Sequence, residues 1–62
     1  MERIKYEEQR QVGNDTVTLQ YIESMSYQGV WEFKGYRCFL KGIQFAEFYA
    51  YPTESDFKRA LP

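Results

Sequence analysis

The fold is decided by residues 30–51, which read VWEFKGYRCFLKGIQFAEFYAY. The dipeptide Lys-Gly occurs twice in this stretch, at Lys34-Gly35 and Lys41-Gly42, each time between runs rich in aromatic and aliphatic residues. A glycine between two β-rich runs is typical of a hairpin turn. We therefore predict a three-stranded antiparallel meander whose strands are Val30–Phe33, Tyr36–Leu40 and Ile43–Tyr51.

The side-chain pattern supports one register of this meander. Two-residue loops at both dipeptides would place Glu32 opposite Arg37, an opposite-charge pair of the kind that stabilises a sheet. The same register collects large side chains on one core face, which would hold Trp31, Phe33, Tyr36, Cys38, Leu40, Ile43, Phe45, Tyr49 and Tyr51. Glu47 interrupts this face, and we expect it to reach solvent at the rim because an unpaired buried charge is costly. A three-residue loop with a glycine bulge is the alternative at either dipeptide.

The flanking segments add a hairpin and a helix. Gly13-Asn14-Asp15 is a turn signal, and it predicts a hairpin of the strands Ile4–Val12 and Thr16–Glu23. A helix is the alternative for the polar first segment, by propensity. Near the end of the chain, Thr53 is a favourable N-cap, and acidic residues precede basic ones after it. A short C-terminal helix is expected there, docked on the sheet through Phe57 and Leu61 because two turns are unstable alone.

The whole chain, residues 1–62, is expected to form one small domain, since a chain of this length supports a single core. We predict a β-dominated α+β fold with about five antiparallel strands, strongly curled, and one short C-terminal helix. This layout resembles that of the SH3-like small barrels of chromo-type and archaeal chromatin proteins. The resemblance is one of layout alone and carries no function.

The composition argues against an enzyme and against a metal site. The chain has no histidine and a single cysteine, Cys38, so it lacks the partners for a His-activated nucleophile, an internal disulfide or a four-ligand zinc site. Cys38 itself falls on the predicted core face, where a small buried hydrophobe is the expected role. We predict no catalytic residue, no metal and no cofactor. With one free cysteine and no apolar run of membrane-spanning length, we expect a cytoplasmic protein.

The aromatic content points to an interaction surface. Five Phe, six Tyr and one Trp suit a thin core whose rings reach the surface, and they equally suit an interface. We predict a non-catalytic protein-interaction module, such as a small inhibitor, regulator or subunit, which self-associates or binds a larger protein. The candidate partner-binding residues lie on the outer face of the meander, unless the hairpin or helix covers it; they are Val30, Arg37, Phe39, Lys41, Gln44 and Phe48. The long final strand would also offer an edge for a homodimer by strand addition.

The second functional hypothesis is a nucleic-acid-binding small barrel. Lys34, Arg37 and Lys41 interleave with aromatic residues, and rings combined with cations on a sheet bind single strands. The net charge of −1 disfavours this hypothesis, because nucleic-acid binders carry a basic excess. The predicted register also places most rings and cations on opposite faces. No membrane and no small-molecule substrate is inferred.

Overall fold

The structure, a computed structural model, describes residues 1–62 as one antiparallel sheet with a short helix. The strands follow one another across the sheet in the order β1-β2-β3-β4, so β1 and β4 are its two edges. The elements are β1 (Glu2–Val12), β2 (Asp15–Met25), β3 (Trp31–Leu40), β4 (Ile43–Phe48) and α1 (Glu54–Ala60). The β-dominated prediction with a C-terminal helix is confirmed, but there are four strands, not about five.

Two tight turns connect the outer strand pairs as predicted. Gly13-Asn14 joins β1 to β2, with Val12 opposite Asp15. Lys41-Gly42 joins β3 to β4, and its φ angles of 51° and 80° are both positive, as a type I′ hairpin requires. The first segment of the chain is therefore a strand, and the helical alternative for it is wrong.

The first Lys-Gly dipeptide is not a turn. Val30–Phe33 and Tyr36–Leu40 do not fold back on each other, because β3 runs continuously from Trp31 to Leu40 along β2. A register shift on β3 leaves Lys34 without a residue opposite it on β2. Phe33, before it, lies opposite Glu23, and Gly35, after it, lies opposite Ile22. The irregularity is a β-bulge, and its one inserted residue lets Phe33 and Tyr36, three positions apart, share a face.

The predicted register of the meander is wrong in two places. Glu32 lies opposite Ser24 and Arg37 opposite Glu47, so the predicted Glu32–Arg37 pair does not form. A second shift in β4, at Phe45, places Cys38 opposite Ala46. This bulge sends Glu47 to the face that carries Arg37, away from the apolar face it was expected to interrupt.

The predicted last strand, Ile43–Tyr51, is too long by three residues. β4 ends at Phe48, and Tyr49 is 75% exposed, contrary to its predicted place in the core. Tyr51 lies beyond the strand and turns back over the sheet, where its ring packs edge-on against Tyr36 at 5.4 Å between centroids.

The core lies on one face of the sheet, under the helix. Thr53 caps α1: its hydroxyl accepts from the Asp56 N–H, and the Asp56 carboxylate accepts from the Thr53 N–H. The cap orients Phe57, which is fully buried, as predicted. The buried cluster consists of Val12, Val17, Leu19, Tyr36, Cys38 and Phe57.

The molecule is elongated because α1 packs at only one end of the sheet. Its extents are 42 × 19 × 16 Å and its radius of gyration is 12.5 Å, against about 11 Å for a compact domain of this length. β1 and β2 each have 11 residues, and their far ends, beyond Tyr6 and Tyr21, extend away from the core cluster. Half of the sheet is consequently a single layer.

Candidate functional site

The single-layer half of the sheet carries a patch of half-exposed aromatic rings on the same face as the core. Pairing places Tyr6 opposite Tyr21, Tyr21 opposite Tyr36, and Trp31 opposite Met25. Tyr6 and Phe33 are each 40% exposed. We name this patch the open face and define it by Arg3, Lys5, Tyr6, Tyr21, Trp31 and Phe33.

The rings form a continuous row across the strands. The centroid of Tyr21 lies 5.1 Å from that of Tyr6, 5.0 Å from that of Phe33 and 5.3 Å from that of Tyr36. Tyr36 continues the row to Tyr51. Contacts at these distances are favourable beyond the area they bury, so the rings hold one another in place. The row is therefore a preorganised surface.

Cations of β1 lie against these rings. The Arg3 guanidinium is 4.0 Å from the centroid of the Trp31 ring, and the Lys5 ammonium is 5.4 Å from that of Tyr21. Both distances suit cation–π attraction. Rings and cations thus share one face, whereas the predicted register separated them.

A buried carboxylate lies beneath one of the cations. Glu23 is 7% exposed and accepts a hydrogen bond of 2.9 Å from Arg3 Nε. Pairing compensates the cost of burying the charge and also fixes the guanidinium over Trp31. Arg3 is consequently neutralised, while Lys5 has no carboxylate within ion-pair distance.

Tyr51 forms the boundary between the open face and the core. Its hydroxyl donates to Glu8 Oε1 at 2.5 Å and accepts from Arg10 at 2.7 Å. The hydrogen bond to the Glu8 carboxylate raises the pKa of Tyr51, because ionisation would place two negative charges side by side. Burial raises the pKa of Tyr36 in the same row. Both hydroxyls therefore remain protonated at neutral pH.

The opposite face, which we call the outer face, has a charge network in place of a ring surface. Glu2 accepts from Arg37 at 2.7 Å and forms an ion pair with Lys34, and these two contacts lower the pKa of Glu2 to about 2. Arg37 Nε also lies 3.7 Å from Glu47 Oε1. The protein's one cleft, of about 360 Å³, is lined by Glu2, Arg3, Ile4, Ile22 and Arg37. Its cations already have carboxylate partners.

The predicted partner-binding residues are only partly brought together. Arg37, Phe39 and Gln44 share the outer face, with Phe39 opposite Gln44. Phe48 lies on the core face, where its ring centroid is 6.2 Å from that of Phe57. Val30 precedes β3 at the far end of the molecule, and Lys41 lies in the β3–β4 turn.

The residues of the nucleic-acid hypothesis are separated from the rings. Lys34 and Arg37 both bind Glu2 on the outer face. Lys41 is seven positions along the chain from Lys34, roughly 23 Å in an extended strand. The open face uses other cations, from β1.

Sequence reasoning missed the part that β1 plays in the open face, although a signal for it exists. A two-residue loop at Gly13-Asn14 places Val12 opposite Asp15, and counting outward places Tyr6 opposite Tyr21. The bulge at Lys5, which brings Arg3 to the same face, has no comparable sequence signal.

The remaining chemistry-bearing side chain, Cys38, is buried, and burial raises its pKa to about 11. No three side chains of the His, Cys, Asp and Glu types are grouped as metal ligands would be. No helix of this chain has the length and apolar character that crossing a membrane requires.

Comparisons with protein-family models, curated proteins and solved structures found no match to the chain.

Proposed function

We propose that this protein is a non-catalytic protein-interaction module, an inhibitor, regulator or subunit, which binds a larger protein through the open face. The observation that carries the proposal is the half-exposed row of rings on the half of the sheet that α1 leaves uncovered. Tyr, Trp and Arg are the residues most enriched at the energetic centres of protein interfaces. Rings that already support one another lose little conformational entropy on binding.

The charges of the open face favour a protein partner over nucleic acid. Arg3 is paired with Glu23, so Lys5 is the cation of this face that lacks a carboxylate. One unpaired cation on this face, in a chain of net charge −1, gives little attraction for a phosphate backbone. The partner we propose presents apolar side chains to Phe33 and Tyr21, and a carboxylate to Lys5.

The absence of catalysis and the cytoplasmic location belong to the same proposal. The support for the first is that a thiol with a raised pKa stays protonated and is a weak nucleophile. The second rests on the lone, reduced cysteine. The SH3-like layout remains a prediction about the curl of the sheet and adds nothing to the function.

The test begins with affinity capture of the tagged protein from its native host, followed by titration of the purified partner. Phe33→Ala removes a central ring and Lys5→Glu reverses the unpaired cation. Lys41→Glu is the matched charge reversal, at an exposed turn residue outside the open face. We expect the first two variants to weaken binding at least about tenfold, as truncation of a central contact does, and the third to bind as wild type.

Two outcomes would contradict this proposal. A larger loss for Lys41→Glu than for Phe33→Ala would move the interface to the turn and outer face. Binding of labelled oligothymidine or oligouridine that weakens steeply with salt, and that is lost in Lys5→Glu, would instead identify a nucleic-acid-binding protein.

A further inference from the structure

β1 is a long edge strand without a neighbour on one side. It pairs along its length with β2, and its other side faces no strand of this chain. Such an edge presents unpaired N–H and C=O groups and is a template for another strand. The opposite edge, β4, has six residues against 11 in β1. The edge best suited to strand addition is therefore β1, and not the final strand as the sequence suggested.

Symmetry restricts how two copies of β1 can pair. In antiparallel pairing about a two-fold axis, one central residue lies opposite its own copy. Every other residue lies opposite the residue of the second copy that is equally far from the centre in the other direction along the sequence. A centre at Glu7, Glu8 or Arg10 sets like charges against each other at the axis. A centre at Gln9 sets two neutral amides there.

The centre at Gln9 also gives complementary neighbours. Glu8 of each copy lies opposite Arg10 of the other, which forms two opposite-charge pairs related by symmetry. Tyr6, 40% exposed, lies opposite Val12, an aromatic–β-branched pair. Because this axis is perpendicular to the sheet, the cores and open faces of both copies lie on one side.

We propose that the second strand at the β1 edge is β1 of another copy, paired antiparallel with the two-fold axis at Gln9. The dimer presents two open faces on the same side, which raises the avidity for a partner with repeated sites. This inference rests on the β1 edge, which shares only Tyr6 with the open face, and its tests alter no open-face residue, so it stands or fails separately from the proposed function.

Disulfide trapping tests the register. Opposed residues of an antiparallel pair have Cα atoms about 4.5–5.5 Å apart, within the range that a disulfide bridges. We expect Gln9→Cys to give a covalent dimer under mild oxidation. Gln11→Cys is the matched control on the same strand and face, since the two copies of residue 11 would lie roughly 13 Å apart. Native Cys38 is buried and does not compete. Equal cross-linking of both variants, or none of Gln9→Cys, would overturn the register.

A charge exchange tests the pairing without a covalent bond. Glu8→Arg and Arg10→Glu each set like charges across the proposed axis, and each loses one contact to Tyr51. Sedimentation equilibrium should show each variant alone dimerising at least about tenfold more weakly than wild type. An equimolar mixture should recover the dimer, since both cross-strand pairs are then complementary. A monomeric wild type at high concentration, or a mixture no better than its components, would overturn the proposal.

Discussion

Gly35 lies on β3 beside the end of β4, with little room for a side chain. A Cβ at this position would lie 3.3 Å from both Glu47 Oε1 and the Phe48 carbonyl oxygen. The carboxylate belongs to a side chain that can move, but the carbonyl belongs to the backbone at the end of the β3–β4 ladder. Glycine is thus favoured here because an added methyl group would crowd these two oxygen atoms, and not because of its φ angle.

Gly35→Ala is expected to destabilise the protein by about 1–3 kcal/mol, the usual cost of an added buried methyl group. A domain of this length has about 3–9 kcal/mol in total, so the change will be evident in urea unfolding. Gln28→Ala, a substitution at an exposed turn position, is the control and should change stability by less than about 0.5 kcal/mol. Equal stability of Gly35→Ala and wild type would show that β4 moves away freely.

Glu2 forms ion pairs with Lys34 and Arg37, so its pKa depends on both contacts. The Lys34 and Arg37 hydrogen bonds lower its pKa from the ordinary 4.5 to about 2. The folded state therefore binds this proton more weakly than the unfolded state does. The stabilisation it gives is complete above pH 4.5 and is lost as the pH falls toward 2.

A carboxyl ¹³C titration by NMR should place the Glu2 midpoint near pH 2. Arg37→Gln removes one hydrogen bond and should move the midpoint upward, toward 4.5. A wild-type midpoint already at 4.5 would contradict the ion-pair network on the outer face.

At the scale of elements, the two Lys-Gly dipeptides have different structures. Lys41-Gly42 is a type I′ turn, while Lys34-Gly35 lies within β3 at a bulge. The reason is not local: β2 continues to Met25, so β3 gains a full partner by remaining extended from Trp31. The sequence predicted the hairpin turns, the capped helix and the burial of Phe57, each of which depends on neighbouring residues.

The features that depend on distant residues were not predictable in the same way. The bulge at Phe45 exchanges the faces of Glu47 and Phe48 without any glycine to mark it. The candidate outer face wrongly included Phe48 for this reason, since one inserted residue reverses every side chain beyond it. The open face itself requires three strands to be aligned at once.

The cap of α1 gives the element-scale prediction. Thr53→Ala removes the acceptor for the Asp56 N–H and is expected to cost about 1 kcal/mol, because α1 holds Phe57 over the core. Ser55→Ala, at an exposed position of the same helix turn, is the matched control and should be near neutral. Thermal unfolding followed by far-UV circular dichroism measures both. Equal melting temperatures for the two variants would mean that the cap contributes nothing.

At the scale of the whole molecule, the elongated shape follows from the helix covering only one end of the sheet. One short helix covers one end of a molecule 42 Å long, so the other end must leave its rings exposed or bury them against a partner. The open face and the β1 edge are adjacent through Tyr6. A partner on the face and a second copy at the edge can therefore act together.

The most direct test of the open face uses Trp31, the chain's single tryptophan. Replacing it with 5-fluorotryptophan gives one ¹⁹F resonance, and an unlabelled partner contributes no signal. We predict that the difference in chemical shift between H₂O and D₂O, which measures solvent contact, falls sharply when the captured partner is added. A ¹⁹F resonance and a solvent shift that stay unchanged in the complex would contradict binding at the open face.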